Sequence, residues 1–144
     1  MRLDKSILIR APADAVLRWL APHRQPAWDP SVVRATALHD GHFERVARAF
    51  GHRFESHAEA TAFGADRFAW RQLEGDFEEH AGAFTLAPGP RGATWVHLVA
   101  DVEFPYVMPE VVTEAEIART VSGEADEALL RLKEIVERSA AGAS

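Results

Sequence analysis

The 144-residue chain has no cysteine, which excludes a disulfide framework, a thiol nucleophile and every thiolate metal site. A cytoplasmic address becomes the default expectation. The only lysines are Lys5 and Lys133, neither in a glycine-rich loop, so a P-loop is absent, and no Gly-x-Ser-x-Gly, Gly-x-Gly-x-x-Gly or His-Glu-x-x-His occurs. No segment is long and apolar enough to span a bilayer. Met1 to Arg10 carries only the short trio Ile7 to Ile9, without the apolar run of a signal peptide. Basic residues are scattered and the formal net charge is -6, which argues against nucleic acid as a partner.

What is present fits one globular domain: 47% hydrophobic and 26% charged residues, with turn-forming glycine and proline in ordinary numbers. That domain is expected over 1–139, with 140–144 as a frayed tail. Residues 3 to 10 alternate as a strand. Pro12 suits a first helical position, Val16, Trp19 and Leu20 form a helical stripe, and Ala21-Pro22 ends it. Pro26 to Pro30, around Trp28, reads as a turn or short bent helix. Six strands follow, over Val32 to Leu38, Phe43 to Phe50, Arg53 to Ala62, Arg67 to Leu73, Phe77 to Leu86 and Ala93 to Phe104. Turn chemistry separates them, with Asp40-Gly41 the strongest hairpin signal and Gly51-His52 the next turn.

The closing segment changes period. Val111, Ala115, Ala118, Ser122, Ala125, Leu129, Leu132 and Val136 recur at 4-3-4-3 spacing and predict a helix of nearly thirty residues, with Pro109 in its first turn and a kink or break at Ser122-Gly123. The first half of that stripe is small and the second bulky. Small residues either allow close backbone approach or leave a cavity.

The run Ile9-Arg10-Ala11-Pro12-Ala13-Asp14-Ala15-Val16 with Trp19-Leu20, then Pro26-Ala27-Trp28-Asp29-Pro30, Gly82-Ala83-Phe84-Thr85-Leu86, Gly92-Ala93-Thr94 and the Phe104-Pro105 corner together resemble the START-like (SRPBCC) superfamily, in particular its polyketide cyclase/dehydratase and coenzyme-Q-binding branch. The resemblance spans nearly the whole chain. It implies an α+β helix-grip fold: a seven-stranded curved antiparallel sheet around a long C-terminal helix, with two short helices between strands 1 and 2. It also implies a cavity between sheet and helix for a hydrophobic or aromatic molecule such as a lipid, a quinone or a polyketide. Phe84 stands where the family often has a tryptophan, so the ring is kept and its N–H donor lost. The family has no universal catalytic set, and no catalytic residue is carried across.

Strand parity nominates the cavity walls. Phe54, Ser56, Ala58, Ala60 and Ala62 share one face, Phe68, Trp70 and Gln72 another, and Thr94 through Phe104 alternate inward, leaving His97, Asp101 and Glu103 outside. Turning Phe84 and Leu86 inward also turns His80 inward. His80 reads either as a core-edge histidine bound to a backbone carbonyl or as the general acid/base of a polyketide cyclase/dehydratase. The expected ligand-binding set is Trp28, Ser56, Trp70, Gln72, Phe84, Phe104, Tyr106, Met108, Ala115, Ala118 and Ser122, with Trp28, Tyr106 and Met108 near the mouth. Trp19 and Trp95 read as packing. Arg34, Arg45, Arg48 and Arg71 read as surface charges, although one turned inward would be an anion clamp. His39 and His42 flank a hairpin without implying a metal, and no cofactor is implied. A domain that binds protein partners through its surface is the third reading.

Overall fold

The computed structural model describes residues 1–105 and 112–142. Strand β1 (Arg2–Ile9) leads into helix α1 (Ala13–Leu20) and a 3-10 turn (Pro22–Ala27). Then come β2 (Val32–Ala37), β3 (His42–Ala49), β4 (His52–Gly64), β5 (Arg67–Gly75), β6 (Glu79–Pro88), β7 (Thr94–Glu103) and helix α2 (Glu114–Gly142). The strands form one antiparallel sheet in the order β1-β7-β6-β5-β4-β3-β2, curved around α2, which is the predicted helix-grip architecture. Pro109 and Val111 lie outside the described residues.

Turn geometry follows the glycines. Asp40 and Gly41 both have positive φ (56° and 75°), as a tight hairpin between right-twisted strands requires. The next hairpin centres on Phe50 and Gly51, φ 55° and 75°, one residue before the expected Gly51-His52. A bulky residue is costly in that region, and Phe50 is held there by its ring, which packs edge-on against Phe104 at 5.7 Å.

Alternation decides which side chains reach the interior. Phe54, Ser56 and Ala58 are buried on β4, and Thr94, Val96, Leu98, Ala100 and Val102 on β7. Register shifts at His57/Ala58 and Ala60/Ala62 end the simple alternation of β4. Trp95, expected to pack, is 45% exposed because its buried neighbours Thr94 and Val96 place it on the outer face.

Helix α2 passes unbroken through Gly123, which is exposed and meets nothing, so the expected kink does not form. Its buried stripe is Ile117, Val121, Ala128, Leu129, Leu132 and Val136. The second half agrees with the sequence reading, whereas the first is rotated by about one residue, or about 100°. Ile117 and Val121 bury more apolar area than Ala118 and Ser122, so they take the inward positions. Ser122 instead accepts a hydrogen bond from Lys5 Nζ at 2.7 Å, and Lys5 also pairs with Asp126 at 2.8 Å. Further along, Lys133 Nζ donates to the Leu8 carbonyl at 2.9 Å and Glu137 accepts from the Arg10 N–H at 2.8 Å. These contacts seat the helix over β1.

Gly82 on β6 is required for a different reason. A Cβ there would lie 2.8 Å from two ring carbons of Trp70, its cross-strand partner, and 2.9 Å from the Cβ of Ala100. Its absence lets the indole lie flat across the sheet. Gly82→Ala is expected to cost about 1–3 kcal/mol through overpacking, against the usual gain from removing a strand glycine. Urea unfolding checks this: an unchanged or raised midpoint would show that Trp70 does not depend on the missing Cβ.

Candidate ligand-binding site

Between the inner sheet face and α2 lies a cavity of about 130 Å³. That is close to the roughly 150 Å³ of an engineered apolar cavity that takes up benzene, so the enclosed part is the size of one ring. Much of its wall is apolar: Trp70, Phe84, Leu98, Ala100 and Val102 from the strands, Phe104 just past β7, and Val121, Ala125, Ala128 and Leu129 from α2. Trp28 closes one side, its ring edge-on to Phe84 at 5.9 Å and its indole N–H donated to the Trp19 carbonyl at 2.7 Å.

The opposite pole is polar. Arg45 on β3 is buried, 7% exposed, and the sequence expectation of a surface charge is corrected here. Phe43, Arg45 and Ala47 share one face of β3, so alternation drives Arg45 inward with Phe43. Its Nη1 donates to Gln25 Oε1 at 3.1 Å, and its Nη2 lies 2.7 Å from His80 Nδ1 and 3.4 Å from Nε2. Gln25 is buried in the 3-10 turn and donates its own amide to the Leu20 carbonyl. Burial lowers the Arg45 pKa to about 10, with Asp29 opposing the shift, so the guanidinium stays charged at neutral pH.

His80 is fixed by what surrounds it. Trp70 Nε1–H donates to His80 Nδ1 at 3.1 Å. Indole and guanidinium nitrogens are donors only, so Nδ1 holds the lone pair and the proton sits on Nε2, an assignment read from the network. Burial, and then the Arg45 charge, hold the imidazole well below its ordinary pKa. The group is therefore a neutral hydrogen-bond donor at Nε2, for which there is no acceptor among the described residues.

Two carboxylates complete the lining. Asp29 Oδ1 accepts from the Ser31 N–H at 3.0 Å and the Ser31 hydroxyl at 2.7 Å, and burial pushes its pKa up against those bonds and Arg45. Glu124 on α2 is also pushed up, by burial first and then by Asp29 and Glu127. Both line the cavity, yet no ion pair joins either to Arg45 among the described residues. No group of three or more His, Asp or Glu able to hold a metal is found among the described residues.

Of the residues nominated from sequence, Trp28, Trp70, His80, Phe84 and Phe104 come together around the cavity. Ser56 is buried outside the cavity lining and borders an open recess with Glu44, His57 and Asp76, which Arg45 also lines. Gln72 donates to the Phe77 carbonyl at 2.8 Å, away from the cavity lining. Ala115 is exposed, and Ala118 and Ser122 are half-buried outside the lining, because the helix face is rotated. Tyr106 and Met108 lie outside the described residues. His42 lies parallel to His39 at 6.5 Å between ring centres, and its Nδ1 is 2.8 Å from His57 Nε2. The sequence reading names none of Gln25, Asp29 and Glu124 as a site residue, and Arg45 only through the anion clamp that an inward-turned arginine would form.

The curved sheet gripping a long C-terminal helix defines a START-like protein of the SRPBCC superfamily. Residues 1–137 match the family described as polyketide cyclase/dehydrase and lipid transport, and the chain belongs to it. Among solved structures it is similar to TTHA0849 from Thermus thermophilus, with a TM-score of 0.80 and 19% identity over 96% of this chain and 99% of that one. A START superfamily protein from Mycobacterium smegmatis matches at TM-score 0.72 and 16% identity over 99% of both chains. The di-domain ARO/CYC StfQ from the steffimycin biosynthetic pathway matches at TM-score 0.76 and 15% identity, over 97% of this chain and 52% of that one. At these identities the likenesses show the fold. No protein of curated function matches the sequence.

The lowered pKa of His80 has a stability consequence. The unfolded chain takes up a proton near the ordinary value of 6.5 that the folded protein refuses, so stability is lost as pH falls below about 6.5 and is flat above it. The limiting slope from one such group is about 1.4 kcal/mol per pH unit. Thermal melts from pH 7.5 to 5 are expected to show this limb, and His80→Gln is expected to flatten it. An equal slope in the variant would place the acid sensitivity elsewhere.

Proposed function

We propose that the protein binds a hydrophobic or aromatic small molecule, inserting one ring-sized group into the cavity with an oxygen toward Arg45 and His80. The observation that supports this most is the buried Arg45 guanidinium, which has neutral hydrogen-bond partners at the polar pole of a chamber whose other walls are largely apolar. Isolated buried charge is costly, and a site that keeps one without pairing it to a carboxylate is suited to an oxygen from outside. The walls of Trp70, Phe84 and Leu98 then supply shape and apolar contact. Lipids, quinones and polyketide-like rings share that chemistry.

A catalytic reading, cyclisation or dehydration of a polyketide-like substrate, draws support from the family description and the likeness to StfQ. In that reading His80 acts through its Nε2–H as an oxygen-binding donor, because its neighbours suppress titration as a general acid or base. Native mass spectrometry of the purified protein is expected to show a stoichiometric adduct of defined hydrophobic mass. Ala125→Phe, which fills the cavity from α2, is expected to remove it and to lower affinity for an added ring compound at least about tenfold. A clean mass from several expression hosts, with no thermal shift from lipids, quinones or polyphenols, would overturn the proposal.

A further inference from the structure

Resting on the ligand site proposed above, a second feature of the cavity concerns where its charges are kept apart. Asp29 commits Oδ1 to Ser31, while Oδ2 has no hydrogen bond among the described residues. Arg45 spends one N–H on Gln25 and another on His80, leaving the rest of its fork without a hydrogen bond among the described residues. Both groups line the same cavity and feel each other's charge, yet no ion pair forms. The carboxylate and the guanidinium thus border one cavity, each with hydrogen-bonding capacity left for a ligand oxygen.

The charge balance decides what that oxygen belongs to. Arg45 is the buried cation; the same cavity is lined by Asp29, whose charge acts on it, from the connection before β2, by Glu124 from α2, by the neutral His80 on β6 and by the exposed Arg48. A ligand that arrives as a carboxylate would add a third negative charge around one buried positive charge, which low dielectric penalises. An alkanol is too weak an acid to yield its proton. A phenol or enol arrives neutral and carries an acidic hydroxyl on an unsaturated carbon.

We propose that Asp29 is the proton acceptor of this cavity and that a phenol or enol is held as its oxyanion by Arg45 and the Nε2–H of His80. The ligand O–H bond breaks, the proton passes to the free Oδ2 of Asp29, and the electron pair stays on the ligand oxygen. Net charge in the cavity is unchanged: one negative charge moves from Asp29 to an atom in direct contact with the guanidinium. The raised pKa of Asp29, caused by burial, favours the same direction. Preorganised donors around a forming oxyanion are the arrangement that lowers the cost of ionising a bound hydroxyl or enol.

The test uses 4-nitrophenol, a one-ring probe whose ionisation is visible, with nitrobenzene as the ring without a hydroxyl. About one pH unit below the probe's own midpoint, the full-length protein is expected to bring up the phenolate band on binding. Calorimetry in two buffers of different ionisation enthalpy is expected to find no proton released, because Asp29 retains it. Asp29→Asn should either release about one proton per bound probe or leave it un-ionised; Glu124→Gln, whatever it does to affinity, should still release none, and the exposed Glu134→Gln, outside the cavity lining, should behave as the unaltered protein. Arg45→Gln should lose the phenolate band and about tenfold or more in affinity for 4-nitrophenol. Retained nitrobenzene binding shows that each variant is folded, and the unaltered protein's band and proton count stand as evidence without any variant. A bound neutral phenol, a proton released by the unaltered protein, or a proton count that follows Glu124 rather than Asp29 overturns the proposal while leaving the cavity reading intact. Failure of both nitrobenzene and 4-nitrophenol to bind removes the cavity reading, and this proposal with it.

Discussion

The organisation of the interior depends on the burial of one guanidinium. Taking a cation out of water costs several kcal/mol even after relaxation, and the protein offsets this with oriented dipoles instead of a contacting carboxylate. Gln25 supplies an amide oxygen from the 3-10 turn and His80 a ring nitrogen from β6. Trp70, which reaches His80 only because Gly82 has no side chain, fixes which imidazole nitrogen carries the proton. Removing any one partner would leave a buried polar group unsatisfied, so the 3-10 turn, β3, β5 and β6 are bound to a common geometry.

The helix supplies the other half of the chamber. Its second half is bulky and closes the core through Leu132 and Val136, both fully buried. Its middle presents Val121, Glu124, Ala125 and Ala128 to the cavity, and the alanines leave room where leucines would have filled it. The polar clamps from Lys5, Lys133 and the Arg10 N–H hold this surface in register with β1. The chamber thus lies between the sheet and a helix tied to the β1 region at Ser122, Asp126, Lys133 and Glu137.

The architecture was legible because several levels of the chain agree: turn glycines, strand alternation and a change of period all point to one topology. The aromatic half of the site was legible for the same reason, since the parity that buries Phe84 also turns His80 inward, and Trp70 shares a face with Phe68. Arg45 was equally legible by parity with Phe43 and Ala47, but the general rule that arginine is exposed prevailed over the strand pattern. Glu124 lies on the stripe Ile117-Val121-Glu124-Ala128, which competes with a second stripe of small residues about 100° away. Pattern alone does not rank two such stripes; the greater apolar burial of Ile117 and Val121 does. Asp29 stands between Trp28 and Pro30 in an irregular segment, where no periodicity assigns direction.

The departure at Phe84 acquires its meaning from how the indole donors are spent. Trp28 gives its N–H to the Trp19 carbonyl and Trp70 gives its own to His80, while Phe84 has none to give. The aromatic wall therefore offers a ligand only ring faces and edges, and its hydrogen-bonding capacity is concentrated at one pole. A molecule with polar groups spread around a ring would lose hydration along that wall without compensation, whereas one with a single terminal oxygen would lose little. For a ligand bound as proposed, discrimination would rest on where its oxygen sits relative to its apolar body, and Arg45 would fix that position because its fork is already held by Gln25 and His80.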